Sequence, residues 1–131
     1  MDIPAAGAIV FDSHRRLLLI QRGRPPAELH WSVPGGKCLD GEPAADACVR
    51  EVMEETGLLV RAVRHAGRVC RPALGDDRFL IDDFVCEVVG GQLRAADDAV
   101  AAGWFDRAAL QDLRMVPELV ETLRVWQLLP D

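Results

Sequence analysis

Apolar residues along the chain fall into short runs with two different spacings. Ala8 to Phe11 and Leu17 to Gln21 are rich in strand-forming residues, and the polar stretch Asp12-Ser13-His14-Arg15 between them predicts a β-hairpin. Gly23 to Leu29 carries Pro25 and Pro26 and reads as loop. Trp31-Ser32-Val33 forms a short extended piece, stopped by Pro34-Gly35-Gly36. Pro43 to Thr56, dense in alanine and glutamate, predicts the first helix, with Gly57 in the position that closes a helix. Within it Ala45, Val49, Val52 and Thr56 form a stripe suited to packing on a sheet. Two strands follow, Leu58 to Arg71 and Arg78 to Val89, with turns at Gly75-Asp76-Asp77 and Gly90-Gly91, and Val100 to Phe105 gives a last strand. Asp106 caps a short helix, and Val116, Leu119, Val120, Leu123 and Trp126 recur at helical spacing in a closing helix. Paired strands with few, separated helices predict an α/β chain: a mixed sheet with helices on both faces. With no repeat or linker, residues 1–131 are expected to form a single domain.

Composition narrows the possible functions. Half the residues are hydrophobic and 27% are charged, which is the balance of a globular chain rather than a disordered one. Apolar runs such as Leu17 to Ile20 are too short to span a bilayer, and no basic segment precedes an apolar stretch at the N-terminus, so no secretory leader is expected. Fifteen basic against 21 acidic residues leave a net charge of −6, which disfavours nucleic acid polymers and anionic membranes as partners. A small anionic substrate remains compatible, because a bound divalent cation inverts the local field. Cys38, Cys48, Cys70 and Cys86 lie far apart without a C-x-x-C pair, which suggests neither a zinc site nor a disulfide framework but reduced thiols in the cytoplasm. Lys37 is the only lysine; the arginine excess reads as composition bias.

The chemistry concentrates between Gly36 and Leu58. On a helix, Glu51, Glu54 and Glu55 share one sector, where like charges three or four residues apart repel by roughly 0.2–0.5 kcal/mol per pair. A merely solvated helix has no need of that arrangement. Three carboxylates on a rigid element make a hard, oxygen-rich site suited to Mg²⁺ or Mn²⁺. Gly35-Gly36 allows a backbone turn that brings main-chain groups close to a ligand, with Lys37 beside it. The residues needed for a P-loop are absent around this glycine pair, and no G-x-S-x-G nucleophile elbow occurs. His14, His30 and His65 are scattered singly and read as surface or loop residues; Trp104 and Trp126 read as core.

Taken together, Gly36, Glu42, Arg50-Glu51-Val52, Glu54-Glu55, Gly57 and Leu58 match G-x5-E-x7-R-E-U-x-E-E-x-G-U, where U is a bulky aliphatic. The segment therefore resembles the Nudix box, which covers 23 of the 131 residues, and Trp31-Ser32-Val33-Pro34-Gly35 resembles its usual lead-in. The resemblance implies a Nudix-type α/β/α sandwich with a central mixed β-sheet. It also implies Mg²⁺- or Mn²⁺-dependent attack of water on the diphosphate of a nucleoside diphosphate derivative. Glu51, Glu54 and Glu55 would then hold the metal, Gly35, Gly36 and Lys37 would meet the substrate, and Arg50 would pair with Glu54 or Glu42 to hold the carboxylates in place. The general base is Glu54 or, by position in the loop six residues before Trp104, Asp98, with Asp97 beside it. Trp31 either stacks on a base or packs beside Pro34.

Substrate identity stays open at this level. Pro72, fifteen residues beyond Gly57, favours the ADP-ribose branch of the family, or simply ends its strand. A compact chain looks equally like MutT-like triphosphatases, which release a monophosphate and pyrophosphate. A non-catalytic nucleotide-sensing module and an isoprenoid diphosphate isomerase are the remaining alternatives, disfavoured by the intact carboxylate cluster and by the chain length respectively. Whether the chain forms a homodimer is left open by the resemblance.

Overall fold

In the computed structural model, which describes residues 1–25 and 27–131, the strands divide between two sheets. Pro26, part of the expected loop, lies outside the described residues. The strands are β1 (Asp2–Val10), β2 (Leu17–Arg22), β3 (Trp31–Ser32), β4 (Gly35–Lys37), β5 (Leu58–Pro72), β6 (Arg78–Gly91) and β7 (Ala99–Phe105). Helix α1 (Ala44–Thr56) and helix α2 (Leu119–Val125) accompany them, with a 3₁₀ turn at Ala108–Gln111. One sheet runs β4-β1-β6-β5 and the other β3-β2-β7. β1 is parallel to β6 and antiparallel to β4, so the first sheet is mixed.

The expected hairpin is replaced by a divergence. Asp12 does reverse the chain, its Oδ1 accepting the N–H groups of His14 and Arg16 at 2.9 and 2.8 Å. Beyond one bridge, Phe11 to Leu17, the two strands enter different sheets. The cause is their composition: Ala8, Ile9 and Val10 in β1 and Leu17, Leu18 and Leu19 in β2 are all buried, on both faces of each strand. A strand apolar on both faces belongs in the middle of a covered sheet. β1 accordingly lies between β4 and β6, and β2 between β3 and β7.

Alternation along these strands feeds two cores. Ala8, Val10 and Leu18 join Ala47, Cys48 and Val52 of α1, while Ile9, Leu17 and Leu19 join Leu123 of α2 with Leu110 and Leu128. The layers are therefore helix, sheets, helix, as expected. Cys48 and Cys86 bring their sulfurs to 3.5 Å in the first core, and all four cysteines are free thiols.

Three local expectations need correction. The buried side of α1 is Ala47, Cys48, Val52, Glu55 and Thr56, with Val49 packed against it; Ala45 is only half-buried, because the stripe is turned so as to carry Glu55 inward. β6 continues through Gly91, so Gly90-Gly91 is strand rather than turn. α2 begins at Leu119, since Glu118 has a φ of 71° and the Val116 N–H is bonded to the Trp31 carbonyl. Gly57 does close α1, with φ 73° and its N–H donated to the Met53 carbonyl. Asp106 caps the short 3₁₀ turn by accepting the Ala109 N–H at 2.9 Å. No helix among the described residues is long and apolar enough to cross a membrane.

Candidate active site

Arg50 organises the acidic face of α1. Its Nε and Nη2 donate to the two oxygens of Glu42 at 2.9 Å each, a bidentate fork from the loop ahead of the helix. Nη1 reaches Glu51 at 2.9 Å and both oxygens of Glu54 at 3.2 Å, and Nη2 also donates to the Lys37 carbonyl at 3.1 Å. One guanidinium thus ties the loop, the edge strand β4 and two helix carboxylates together. Sequence left its partner as Glu54 or Glu42; the structure gives it both, and Glu51 as well. The Arg50 hydrogen bonds hold Glu42 below the ordinary carboxylate range, and the Glu42 bond in turn raises Arg50.

Glu55 sits one helical turn on and faces inward, 5% exposed. Its Oε1 accepts the Gly35 N–H at 2.9 Å. Burial still pushes its carboxyl up to about 8, and the nearby charges of Glu51 and Asp97 act in the same direction. Glu51 is also raised, first by burial and then by Glu54 and Asp97. Glu54 is the most open of the three, with its side chain 42% exposed.

Gly35 and Gly36 do not form the expected turn. They are extended in β4 and pair with Gly7 and Ala6 of β1. Glycine is required by space rather than by φ: a Cβ on Gly35 would lie 2.3 Å from the Ala6 carbonyl oxygen, and one on Gly36 would lie 2.6 Å from the Glu51 carboxylate. Helix α1 is packed down onto this edge strand. Lys37 is exposed, its Nζ 5.9 Å from the Phe79 ring centroid.

The loop after β6 is strapped to the end of α1 by the Arg94 N–H on the Thr56 carbonyl and the Ala96 N–H on the Glu55 carbonyl, at 2.8 and 3.1 Å. Asp97, with a φ of 54°, is the loop carboxylate whose charge reaches Glu51 and Glu55. The Asp98 side chain instead pairs with Arg24 at 3.0 Å. Arg22 lies near enough to Glu55 to oppose its rise. Sequence reading did not single out Arg22 or Arg24, because their approach depends on the β2–β7 pairing. Trp31 packs edge-on against Phe105, with centroids 5.0 Å apart. Trp104 and Trp126 are half-buried against the two cores as expected.

Among the described residues, no three acidic, histidine or cysteine side chains form a ready cation cage, since Arg50 draws Glu51 and Glu54 to itself. The donor set nonetheless fits a hard divalent ion. Three carboxylates share one helix face, and two of them are held in surroundings that penalise their charge, a penalty a nearby cation would reverse.

Comparison with known proteins agrees with this arrangement. The NUDIX domain family model matches residues 1–125. An ADP-ribose pyrophosphatase of Methanocaldococcus jannaschii is 35% identical over 98 residues, 74% of this chain and 58% of that protein's length. A Bacillus subtilis protein provisionally named an 8-oxo-dGTP diphosphatase is 36% identical over 119 residues, 89% of this chain and 74% of its own. Among solved structures, a Nudix hydrolase from Nitrosomonas europaea superposes with a TM-score of 0.83 at 22% identity, covering 99% of this chain and 93% of that one. The domain match over nearly the whole chain, on a fold that gathers Glu42, Arg50, Glu51, Glu54 and Glu55 at one edge, places this protein in the Nudix hydrolase family.

Proposed function

We propose that this chain hydrolyses the diphosphate linkage of a nucleoside diphosphate derivative, with ADP-ribose or another nucleoside diphosphate sugar as the preferred class. The observation that carries the reading is the Arg50 network, which holds Glu51 and Glu54 beside the inward-facing Glu55. Glu51, Glu54 and Glu55 would hold Mg²⁺ or Mn²⁺. Such an ion would neutralise charge on the phosphates and lower the pKa of a water molecule.

The chain's own residues do the rest. Arg50 keeps the Glu42, Glu51 and Glu54 side chains in fixed relation through six hydrogen bonds, counting the one to the Lys37 carbonyl. Glu54, the most exposed of the three and held by Arg50 at 3.2 Å, is placed to take a proton from water as general base. Asp98 is the second candidate; its pairing with Arg24 and its shorter side chain give it the smaller part. Gly35, Gly36 and Lys37 present the edge of β4 to the phosphates. Free thiols throughout fit a cytoplasmic setting.

The ADP-ribose preference draws on the relative named for that activity and on Pro72 at the end of β5. The second reading, a MutT-like nucleoside triphosphate pyrophosphohydrolase, draws on the Bacillus subtilis relative, which this chain matches over more of its length. Steady-state kinetics with Mg²⁺ on ADP-ribose, nucleoside diphosphate sugars and deoxynucleoside triphosphates separates them by product. ADP-ribose yields AMP and ribose 5-phosphate, a triphosphate yields a monophosphate and pyrophosphate. A kcat/KM for any triphosphate well above that for ADP-ribose would reverse the preference, and binding without turnover throughout would make the chain a sensing module.

A further inference from the structure

Two carboxylates compete for Arg71 where α2 meets the four-stranded sheet. One is Asp83 of β6, 6% exposed, which pairs with Gly7 of β1 and Gly67 of β5. A Cβ on Gly7 would collide with its Oδ1, and the Trp126 indole lies over Gly67 on the same face. Among the described residues no hydrogen bond reaches this carboxyl. Buried carboxyls are normally paired or hydrogen-bonded, because leaving one unpartnered is strongly unfavourable.

Few charged or titratable groups surround it. β5 presents Arg71 and His65, β6 presents the adjoining Asp82, and α1 presents the Cys48 thiol from the other side of the sheet. Gly7, Val33 and Trp126, which close the site from β1, the β3–β4 link and α2, are uncharged. His65 is committed to Asp82, whose Oδ1 lies 2.9 Å from its Nε2. Arg71 shares the face of Gly67, four residues further along β5, and is the foremost charge opposing the burial of Asp83. Its Nη1 is engaged elsewhere, at 2.9 Å from the Cys70 carbonyl and 3.2 Å from Glu118.

Glu118 is the second carboxylate, and it stands at a joint. Its φ of 71° is one a glutamate rarely adopts, and its carbonyl opens the α2 ladder by accepting the Thr122 N–H at 2.9 Å. The segment just before it grips β3: the Trp31 N–H is donated to the Arg114 carbonyl at 2.8 Å, and the Val116 N–H to the Trp31 carbonyl at 2.9 Å. Trp31 lies four positions ahead of Gly35, whose N–H holds Glu55.

We propose that Asp83 is a pH-sensitive latch for the start of α2. With its carboxyl protonated, Arg71 is left to Glu118 and pins the turn that opens the helix. Once ionised, Asp83 draws the guanidinium inward and Glu118 is released. Burial pushes Asp83 up to about 7, so the latch is closed below neutrality and opens above it.

Amide hydrogen exchange of the intact protein tests this, followed residue by residue by NMR from about pH 6 to about pH 8.5 and corrected for the intrinsic pH dependence of exchange. As pH rises, the Val116 and Thr122 amides should lose protection by about threefold, the scale of one partly exposed ion pair, beyond any change at the Gly57 amide that closes α1. Asp83→Asn should keep the low-pH protection at every pH. Glu118→Gln, an exposed change that leaves Asp83 in place, should show the weaker high-pH protection throughout, and it decides the matter if Asp83→Asn does not fold. Protection at Val116 and Thr122 that is independent of pH in the parent would overturn the latch. So would a pH dependence that survives in either variant, or a loss shared equally by Gly57, which marks loosening of the whole fold.

Discussion

The Glu55 carboxylate accepts the Gly35 backbone N–H at 2.9 Å, across twenty positions of chain. This bond joins the last turn of α1 to the edge strand β4, so the acidic face of the helix meets the sheet where Gly35 pairs with Gly7. It also explains why a charged residue occupies the buried side of the helix. Glu55 exchanges water for one main-chain donor, and burial still leaves its ionised form disfavoured.

Neutralising Glu54 or Glu55 to Gln should leave the fold intact and lower turnover by about a hundredfold or more, since each removes a carboxylate from the metal-holding set and relieves repulsion of roughly 0.2–0.5 kcal/mol per pair. Asp98→Asn should lose less than Glu54→Gln, because its side chain is committed to Arg24. Kinetics of the three variants at saturating Mg²⁺ check both statements. Parent-like rates in both glutamine variants would sink the metal assignment, and a larger loss in Asp98→Asn would move the base to the loop.

Arg50→Lys keeps the positive charge but not the fork. A lysine cannot donate the two parallel bonds that hold Glu42 at 2.9 Å, nor reach Glu51 and Glu54 at the same time. Activity should drop about 10–100-fold, with a higher Mg²⁺ concentration needed for half-maximal rate. An unchanged Mg²⁺ requirement would show that Arg50 does not position the carboxylates.

Folding stability in the presence of a chelator should fall as pH rises from 5 to 8. Asp83 and Glu55 ionise near 3.8 and 4.5 when unfolded, but at about 7 and about 8 in the folded chain. Across that window the folded state binds more protons than the unfolded one, so each unit of pH favours unfolding. Asp83→Asn and Glu55→Gln should each flatten part of the slope, and the pair most of it. Urea unfolding at several pH values measures this; a parent slope of zero or opposite sign would refute it.

Gly36→Ala places a Cβ 2.6 Å from the Glu51 carboxylate. Since β4 is fixed by its pairing with β1, Glu51 must be the group that moves. The variant should fold, with turnover reduced by at least about tenfold and Glu51 displaced from Arg50. Full activity in Gly36→Ala would mean that the approach of helix and edge strand is not needed for catalysis.

Much of this protein is written locally. Helix α1 and its Gly57 stop, the β5–turn–β6 ribbon and the short capped turn at Asp106 follow from residue order, because each depends on neighbours within a turn or a two-strand reversal. The acidic sector of α1 is equally local: spacing on one helix decides that Glu51, Glu54 and Glu55 share a face. The tertiary structure decided everything that depends on chain segments meeting. β1 pairs in parallel with β6, from Asp2 beside Arg78 to Val10 beside Cys86, a register that no turn residue announces. That pairing turned an expected hairpin into the centres of two sheets. Other long-range pairings made strand of Gly35-Gly36 beside β1, brought Asp98 to Arg24 through β2 and β7, and laid Asp83 between Gly7 and Gly67 from two other strands. In sequence Asp83 left only a faint trace, an acidic residue at the parity of Ile81 and Val85, because a buried carboxyl differs from an exposed one only in what the rest of the chain brings to it.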